Sequence, residues 1–272
     1  MSSKKIRADK ALVKRGLAED EKKALRLILA AQVYVVERKI STPGELLDEN
    51  EVNGLRIRKS DPYVSRAAHK LLGAFESFDI TVEGLRVIDV GSSTGGFTQV
   101  LLEKGAEKVY AVDVGYGLLD HSLRNDPRVI VLERENMRYL EREKISETLD
   151  FFTMDVSFIS SKLLLSPLKR FLKENAQGVV LIKPQFEAQR ESVQKGIVTD
   201  PLIHRQVIEE MLEYYRIEGW RCLGLARSPV KGTKGNQEFL AWVELAPYLE
   251  IDEGSLDALF EVPSDSLSHS RR

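Results

Sequence analysis

The stretch that decides the fold is Val87-Ile88-Asp89-Val90-Gly91-Ser92-Ser93-Thr94-Gly95-Gly96-Phe97-Thr98. It starts as an apolar run typical of a buried strand, passes into a glycine-rich turn and then opens an apolar-periodic helix. A buried strand that ends in such a turn at a helix N-terminus brings bare backbone close to a nucleotide-like ligand. The stretch therefore predicts an α/β protein that binds its ligand at the end of this strand.

The turn differs from two well-known nucleotide-binding loops. It lacks the second-glycine spacing of a dinucleotide fingerprint and the Gly-Lys-Ser/Thr ending of a phosphate loop, so neither NAD nor ATP is the expected ligand. S-adenosylmethionine (SAM) fits better as the cofactor. The residues predicted to bind it in this stretch are Asp89, Gly91, Ser92, Ser93, Thr94, Gly95, Gly96, Phe97 and Thr98.

Two polar residues after the next strands could complete the cofactor site. Asp113 follows the second predicted strand, roughly 20 residues beyond the turn, where a carboxylate can accept hydrogen bonds from both hydroxyls of an adenosine ribose. Asn136 follows the third strand, where an adenine would rest. The alternative is that Asp113 only ends a strand or caps a helix, and that Asn136 is an ordinary loop residue.

Apolar strands alternate with helical stretches around the turn. The strands are predicted at residues 86–90, 108–112, 128–132, 149–154, 178–182, 222–226 and 238–243. A helical stretch at 63–78 precedes them, and stretches such as 159–172 and 201–216 separate them, which indicates a mostly parallel, doubly wound sheet. The last two strands have no room for a helix between them and should pair antiparallel. The expected fold class is therefore α/β, with a Rossmann-like, seven-stranded sheet.

The first 60 residues differ in charge from the rest of the chain. They hold 14 Lys and Arg against 9 Asp and Glu, a balance of +5, whereas the remaining residues carry −7. Helical patterns at 7–17 and 21–31 and a short strand at 33–36 predict a small α/β head. A basic head on an acidic body indicates that the head meets a polyanion. The predicted domains are 1–60 and 61–246, followed by a flexible tail at 247–272.

The composition disfavours several other classes. Cys222 is the only cysteine, so no disulfide framework and no Cys-ligated metal site is available. The four histidines lack the spacing of metal ligands, and no metal is expected. No apolar run approaches the roughly 20 residues of a membrane helix, and the N-terminus lacks the apolar core of a signal peptide. The expected compartment is the reducing cytoplasm.

Four ionisable side chains are expected to meet near the cofactor. Asp155 ends the fourth strand, Lys183 ends the fifth and Glu238 begins the last, while Lys70 lies on the helix before the first strand. Ligands of doubly wound sheets bind at this edge of the strands. A ribose hydroxyl is a poor nucleophile and needs a positioned base, which such a cluster could supply. A salt-bridged rim without a catalytic role is the alternative.

These segments closely resemble the TlyA-type rRNA 2′-O-methyltransferases, often named hemolysins, whose catalytic domain is similar to that of FtsJ-type RNA methyltransferases. The resemblance runs from about Arg7 to Leu245, through the blocks 65–71, 89–98, 112–117, 123–129, 155–160, 183–187 and 235–238. It implies methyl transfer from SAM to a ribose 2′-hydroxyl, of cytidine in 16S rRNA, 23S rRNA or both. It also implies a catalytic tetrad of Lys70, Asp155, Lys183 and Glu238, in which Lys183 is the deprotonating or orienting amine.

The head resembles the alpha-L (S-four-type) RNA-binding motif of small-subunit ribosomal proteins and pseudouridine synthases, through residues 11–18 and 22–29. The resemblance implies contacts between basic side chains and ribosomal RNA, whether free or in ribosomal subunits. The residues predicted to bind RNA are Lys10, Lys14, Arg15, Lys22, Lys23, Arg26 and, beside Lys70 on its helix, Arg66. An ordinary solvated helix face is the alternative for the head.

Two functions from other classes stay open. A membrane-active hemolysin would need an amphipathic or spanning segment, and the sequence shows none. A non-catalytic RNA-binding factor for ribosome assembly would retain SAM without turnover, which the intact tetrad disfavours. The segment Lys234-Gly235-Asn236 either covers the substrate or only links two strands.

Overall fold

The computed structural model describes residues 5–58 and 61–246. The chain divides into two compact units, residues 1–62 and 63–272. The tail predicted to be flexible, 247–272, lies outside the described residues.

The first unit contains the two predicted helices and several very short strands. Its elements are β1 (Ile6–Arg7), α1 (Ala8–Lys14), α2 (Glu21–Leu29), β2 (Val33–Val35), β3 (Arg38–Lys39), β4 (Leu46–Leu47), α3 (Glu49–Asn53) and β5 (Leu55–Ile57). Strand β1 pairs antiparallel with β4, and β2 lies between β3 and β5. The side chains of Leu12, Ile28 and Leu47 are fully buried in a core shared by these elements.

Local signals explain where the helices of this unit begin and end. The Asp20 side chain accepts a hydrogen bond from the Lys23 backbone and starts α2. Asp48 and Glu51 form a reciprocal capping box that starts α3. Gly16, at φ +66°, turns the chain after α1 in a conformation that favours glycine.

The second unit is built on the predicted seven-stranded sheet. Its strands are β6 (Arg86–Val90), β7 (Lys108–Asp113), β8 (Val129–Glu133), β9 (Leu149–Met154), β10 (Leu172–Ile182), β11 (Trp220–Arg227) and β12 (Phe239–Leu245). Their order is β11-β12-β10-β9-β6-β7-β8. All pairs from β8 to β10 are parallel, while β12 runs antiparallel to both β10 and β11. The predicted fold class and the antiparallel final pair are confirmed.

Helices cover both faces of this sheet. They are α4 (Ala67–Ser77), α5 (Gly96–Glu103), α6 (His121–Arg124), α7 (Lys162–Leu168), α8 (Pro184–Glu187) and α9 (Pro201–Ile217). One core includes Phe152 and Val180, and the other, on the opposite face, includes Phe151 and Val179. Consecutive residues of one strand thus point into two different cores, which explains the uninterrupted apolar runs of the sequence.

An ion-pair cluster lies at the amino ends of the strands β6, β7 and β9. Glu147 contacts Arg86 (3.1 Å) and Lys108 (2.8 Å) and accepts a hydrogen bond from the Tyr110 hydroxyl at 2.5 Å. The hydrogen bonds from Lys108, Tyr110 and Arg86 lower the pKa of Glu147 to about 2. Its stabilising contribution is therefore present above the ordinary glutamate pKa and is lost as the pH falls toward 2.

We expect Glu147→Gln to destabilise the protein by about 2 to 3 kcal/mol at neutral pH, from the size of the pKa depression. The difference between variant and wild type should shrink below the ordinary glutamate pKa and vanish near pH 2. Urea unfolding at a series of pH values measures it. A difference that is the same at every pH would contradict an electrostatic origin.

Candidate active site

The glycine-rich turn joins β6 to α5 through backbone conformations that need glycine. Gly91 and Gly95 have φ of +83° and +97°. A Cβ at Gly91 would lie 2.5 Å from the carbonyl oxygen of Asp155, and one at Gly95 would lie 2.3 Å from Leu123 Cδ1. The turn therefore packs directly on the end of β9 and on α6.

Asp113 connects this turn to the next loop. Its Oδ2 accepts a hydrogen bond from the Ser93 backbone at 2.9 Å, and its Oδ1 accepts one from the Gly115 backbone at 2.7 Å. Each carboxylate oxygen retains further acceptor capacity, because an ionised carboxylate can accept about four hydrogen bonds. Asp113 thus shapes the loop and can still accept hydrogen bonds from a ligand.

A cavity of about 470 Å³ lies at the carboxyl ends of β6, β7 and β9, and we call it the cofactor cavity. Val112, Met137 and Leu164 make part of it apolar, while Asp113 and Asn136 add polar groups at its wall. An apolar pocket with a few placed polar groups suits a nucleoside. These residues therefore fit the adenosine part of SAM.

A second cavity of about 320 Å³ adjoins the first, and we call it the lysine cavity. It is lined by Lys70 and Lys183 together with the remaining turn residues Ser92, Thr94, Gly96 and Phe97. The two cavities share Gly91, Ser93, Asp155 and Ser157. A group bound in one cavity can therefore reach a group bound in the other.

Three of the predicted cofactor residues, Asp89, Gly95 and Thr98, line neither cavity. Asp89 is completely buried and accepts hydrogen bonds from the hydroxyls of Thr98 (2.7 Å) and Thr153 (2.9 Å). Burial raises the pKa of Asp89 to about 6, against the opposing effect of these two bonds. In the structure, Asp89 and Thr98 therefore join β6, β9 and α5. From the sequence, both residues were predicted to bind the cofactor.

The four predicted catalytic residues come together in one chain of ion pairs. Lys183 Nζ lies 2.5 Å from Asp155 Oδ1, and Lys70 Nζ lies 3.8 Å from Asp155 Oδ2 and 2.6 Å from Glu238 Oε2. Lys183 Nζ also donates a hydrogen bond to Ser157 Oγ at 3.0 Å. Their side chains are between 2% and 13% exposed, so water screens these charges only weakly.

Glu238 takes a different place from the other three. It is 2% exposed and does not line the lysine cavity. Its Oε1 accepts a hydrogen bond from Gln185 at 3.3 Å, and a Cβ on Gly232 would lie only 2.0 Å from that oxygen. Glu238 therefore orients Lys70 from outside the lysine cavity. Its contact with Gln185 was not predicted from the sequence.

Phe158 is a second feature that sequence reasoning missed. Phe158 is 92% exposed although its side chain is a large aromatic ring, and its φ of +64° places its backbone in the left-handed region. Its ring lies 5.3 Å from that of Phe186 and borders the cofactor cavity. An exposed ring held by such a backbone is a signal only in the structure, because the sequence does not show whether the side chain of Phe158 is buried or exposed.

The loop between β11 and β12 borders the lysine cavity through Val230, Lys231, Gly232 and Thr233. Asn236 is 2% exposed and anchors this loop, since its Oδ1 accepts a hydrogen bond from Val198 N and its Nδ2 donates to Gly196 O. Lys234 Nζ donates to the carbonyl of Lys195. The segment 234–236 itself lines neither cavity and is bound to residues 195–198, so both alternatives for it stay open.

The basic residues of the first unit fall into two groups. Arg7, Arg38, Arg56 and Arg58 pair with acidic neighbours. The residues predicted to bind RNA are exposed and form no ion pair within residues 5–58: Lys10, Lys14, Arg15, Lys22, Lys23 and Arg26. In the second unit, the exposed Arg66 lines the lysine cavity. The unpaired charges are available to a polyanion.

Membrane-spanning helices and metal-binding clusters are both absent from the described residues. Within residues 5–58 and 61–246, no helix is long and apolar enough to cross a membrane. In the same described ranges, no group of three or more His, Cys, Asp or Glu side chains could hold a metal ion. His269 lies outside the described residues.

Comparisons with known proteins identify the family. Residues 63–245 match the FtsJ-like methyltransferase model. The chain is 46% identical to Bacillus subtilis YqxC, which carries an rRNA methyltransferase name, over 88% of this chain and 86% of that protein. It is 40% identical to the Mycobacterium tuberculosis 16S/23S rRNA (cytidine-2′-O)-methyltransferase TlyA, covering 89% and 90%.

A solved structure of a hemolysin-named protein from Streptococcus thermophilus is also similar, with a TM-score of 0.72 and 38% identity over 95% of each chain. The family match covers the whole sheet and every residue of the ion-pair chain described above. The chain therefore belongs to the FtsJ-like methyltransferase family, and within it to the TlyA-type proteins.

Proposed function

We propose that this protein transfers a methyl group from SAM to the ribose 2′-hydroxyl of a cytidine in 16S or 23S ribosomal RNA, in the cytoplasm. The observation that carries the proposal is the junction of the two cavities at Asp155 and Ser157, with Lys183 bound to both residues. A hydroxyl in the lysine cavity can there approach a methyl donor in the cofactor cavity. Curated relatives of TlyA type carry this activity in their names.

When bound, SAM supplies an electrophilic methyl group. In the cofactor cavity, Asp113 would accept hydrogen bonds from the ribose hydroxyls, and Asn136 and Met137 would flank the adenine. The glycine-rich turn would hold the remainder through Gly91 and Ser93. These residues orient the donor, and correct orientation of two reactants supplies a large part of the rate in a transfer of this kind.

The lysine cavity would prepare the ribose hydroxyl. Lys183 Nζ would accept the hydroxyl proton or orient the hydroxyl oxygen, while Asp155 holds that amine in place through the 2.5 Å contact. Lys70 adds a second positive charge beside Asp155, and Glu238 fixes Lys70. The developing charge on the attacking oxygen would thus meet groups that are already oriented.

Phe158 offers a stacking surface for the target nucleotide. Enzymes that modify one nucleotide of a structured RNA take it out of its stack and hold its base against an aromatic ring. The exposed ring of Phe158 lies beside both Asp155 and the cofactor cavity. The head, with its unpaired basic residues, would supply affinity for the surrounding RNA phosphates.

The decisive test is methyl transfer from labelled SAM to purified ribosomal subunits, followed by mapping of 2′-O-methylated nucleotides. We expect label at a single type of site, on a cytidine ribose. Label on a base, or binding of SAM and RNA without transfer, would reject the proposal. The second result would favour the non-catalytic assembly factor instead.

Asp113→Ala is expected to weaken SAM binding by about 1.5 to 3 kcal/mol, the range for hydrogen bonds to a charged group. Gly95→Val should weaken it as well, because its side chain would meet Leu123 in a backbone region that favours glycine. Calorimetry with SAM measures both. The control is Asp126→Ala, which removes a surface carboxylate paired with Arg128. Unchanged affinity in both loop variants would contradict the placement of the cofactor.

A further inference from the structure

Glu187 joins the two segments that carry the proposed reaction centre. Its backbone N–H donates a hydrogen bond to the carbonyl of Lys183 at 3.2 Å, since it ends the short helix α8 that follows Lys183 directly. Its carboxylate reaches the other segment, where Oε1 accepts bonds from Ser161 N and Ser161 Oγ, both at 2.7 Å. Its Oε2 accepts a bond from Ser160 Oγ at 2.5 Å.

The segment that Glu187 holds contains several groups of the site but no regular structure of its own. Residues 155–161 follow β9 and precede α7, and they include Asp155, Ser157 and Phe158. The start of the segment is fixed by the hydrogen bond from Asp155 N to Val90 O at 3.1 Å. Its far end is fixed by the three bonds to Glu187. Between these ends, Ser157 accepts the hydrogen bond from Lys183 and the Phe158 ring packs near Phe186, so the carboxylate contributes to the path of the segment together with these contacts.

We propose that Glu187 is a positioning residue for methyl transfer, which aligns the segment of Asp155, Ser157 and Phe158 with Lys183. This inference rests on the proposed function of the same site. Glu187 lines neither the cofactor cavity nor the lysine cavity, so it acts through the residues it binds. Lys183 contacts Asp155 and Ser157 at the start of the segment, and the three Glu187 bonds hold its end at Ser160 and Ser161.

The test compares three variants. Glu187→Ala removes all three side-chain bonds. Glu187→Gln keeps an oxygen for Ser161 and places an amide donor beside the Ser160 hydroxyl, so it should restore the connection. Glu191→Ala removes an exposed carboxylate from the same stretch of chain and serves as the matched control.

Two kinds of measurement separate positioning from general stability. Amide hydrogen exchange of peptides that cover residues 155–165 should be faster in Glu187→Ala, while peptides from β6 and β10 keep their protection. The single-turnover rate should fall about 10- to 100-fold, as expected when reacting groups are misplaced by about 1 Å. RNA affinity should fall much less than the rate, because the basic head is proposed to supply most of it, and Glu187→Gln should recover most of the rate.

Unchanged exchange and an unchanged rate in Glu187→Ala would overturn the inference. A rate that stays low in Glu187→Gln although its exchange is normal would overturn it too, since positioning would then be intact without activity. If Glu187→Ala does not fold, the double variant Ser160→Ala with Ser161→Ala removes the hydroxyl donors from the other side and is expected to show the same local exchange with a smaller loss of rate. If the wild-type protein does not methylate rRNA, the proposed function fails, and hydrogen exchange still decides whether Glu187 holds the segment.

Discussion

Lys183→Ala is expected to lower the single-turnover rate of methyl transfer to ribosomal subunits by about 10² to 10⁴-fold, the usual loss for a positioned proton-transfer group. Lys183 lies at the junction of the two cavities, with its Nζ 2.5 Å from Asp155 and 3.0 Å from Ser157. It lines the lysine cavity and does not line the cofactor cavity. SAM affinity should therefore stay close to that of wild type, and calorimetry checks this point.

Lys183→Arg separates the two roles that remain for this amine. A guanidinium keeps its proton at any working pH, so it can orient the hydroxyl by its charge but cannot accept the hydroxyl proton. We expect the Arg variant to stay as slow as the Ala variant, measured from about pH 6 to about pH 9. A near wild-type rate in Lys183→Arg would leave Lys183 only an orienting cation. Lys162→Ala, on α7, changes a lysine outside both cavities and is the matched control.

Reversal of Lys14, Arg15 and Arg26 to Glu is expected to weaken RNA binding by about 10² to 10³-fold at 0.1 M salt. The estimate assumes that each residue contacts one phosphate, in which case the slope of log affinity against log salt falls by about 2 to 3. These side chains are exposed and form no ion pair among the described residues of the head. Titration of labelled rRNA fragments at several salt concentrations measures affinity and slope together.

A charge-preserving triple variant, Lys14→Arg with Arg15→Lys and Arg26→Lys, should bind RNA almost as wild type does, because phosphate contacts depend mainly on charge. SAM binding should be the same in both triple variants. An unchanged salt slope in the reversed variant would show that the head does not contact RNA through this face. The same result would remove the support for an alpha-L type of RNA binding.

The sheet could be predicted because its inner strands, such as β6, β7 and β9, are buried on both faces. Such strands are short apolar runs, and six of the seven lie within two residues of their predicted bounds, whereas β10 begins at Leu172 and was predicted from residue 178. The head was harder to predict, since strands of two or three residues are too short to show periodicity. The helix predicted at 159–172 ends at Leu168, because β10 already begins at Leu172. Its register shifts between Leu172 and Gln177, an irregularity that apolar patterning does not reveal.

The meeting of Asp155 and Lys183 could be predicted because parallel strands place their carboxyl ends at one edge. How deeply each side chain is buried could not be predicted in the same way. Asp89 and Glu238 occur in motifs next to the site, yet both side chains are buried behind it. Gln185 and Glu187 were missed because their partners are 53 and 26 or 27 residues away in the chain, and only the packed loops bring them together.

The place of β12 in the sheet has a consequence for folding. This strand comes last among the strands of residues 61–246, yet it inserts between β10 and β11 and pairs with both. Before it arrives, β10 and β11 each expose an unpaired edge, and Lys70 lacks Glu238. During synthesis from the N-terminus, the Lys70–Glu238 ion pair can therefore form only after all the other described strands have been made. A nascent chain, or one shortened before β12, would expose an unfinished sheet that is prone to aggregation.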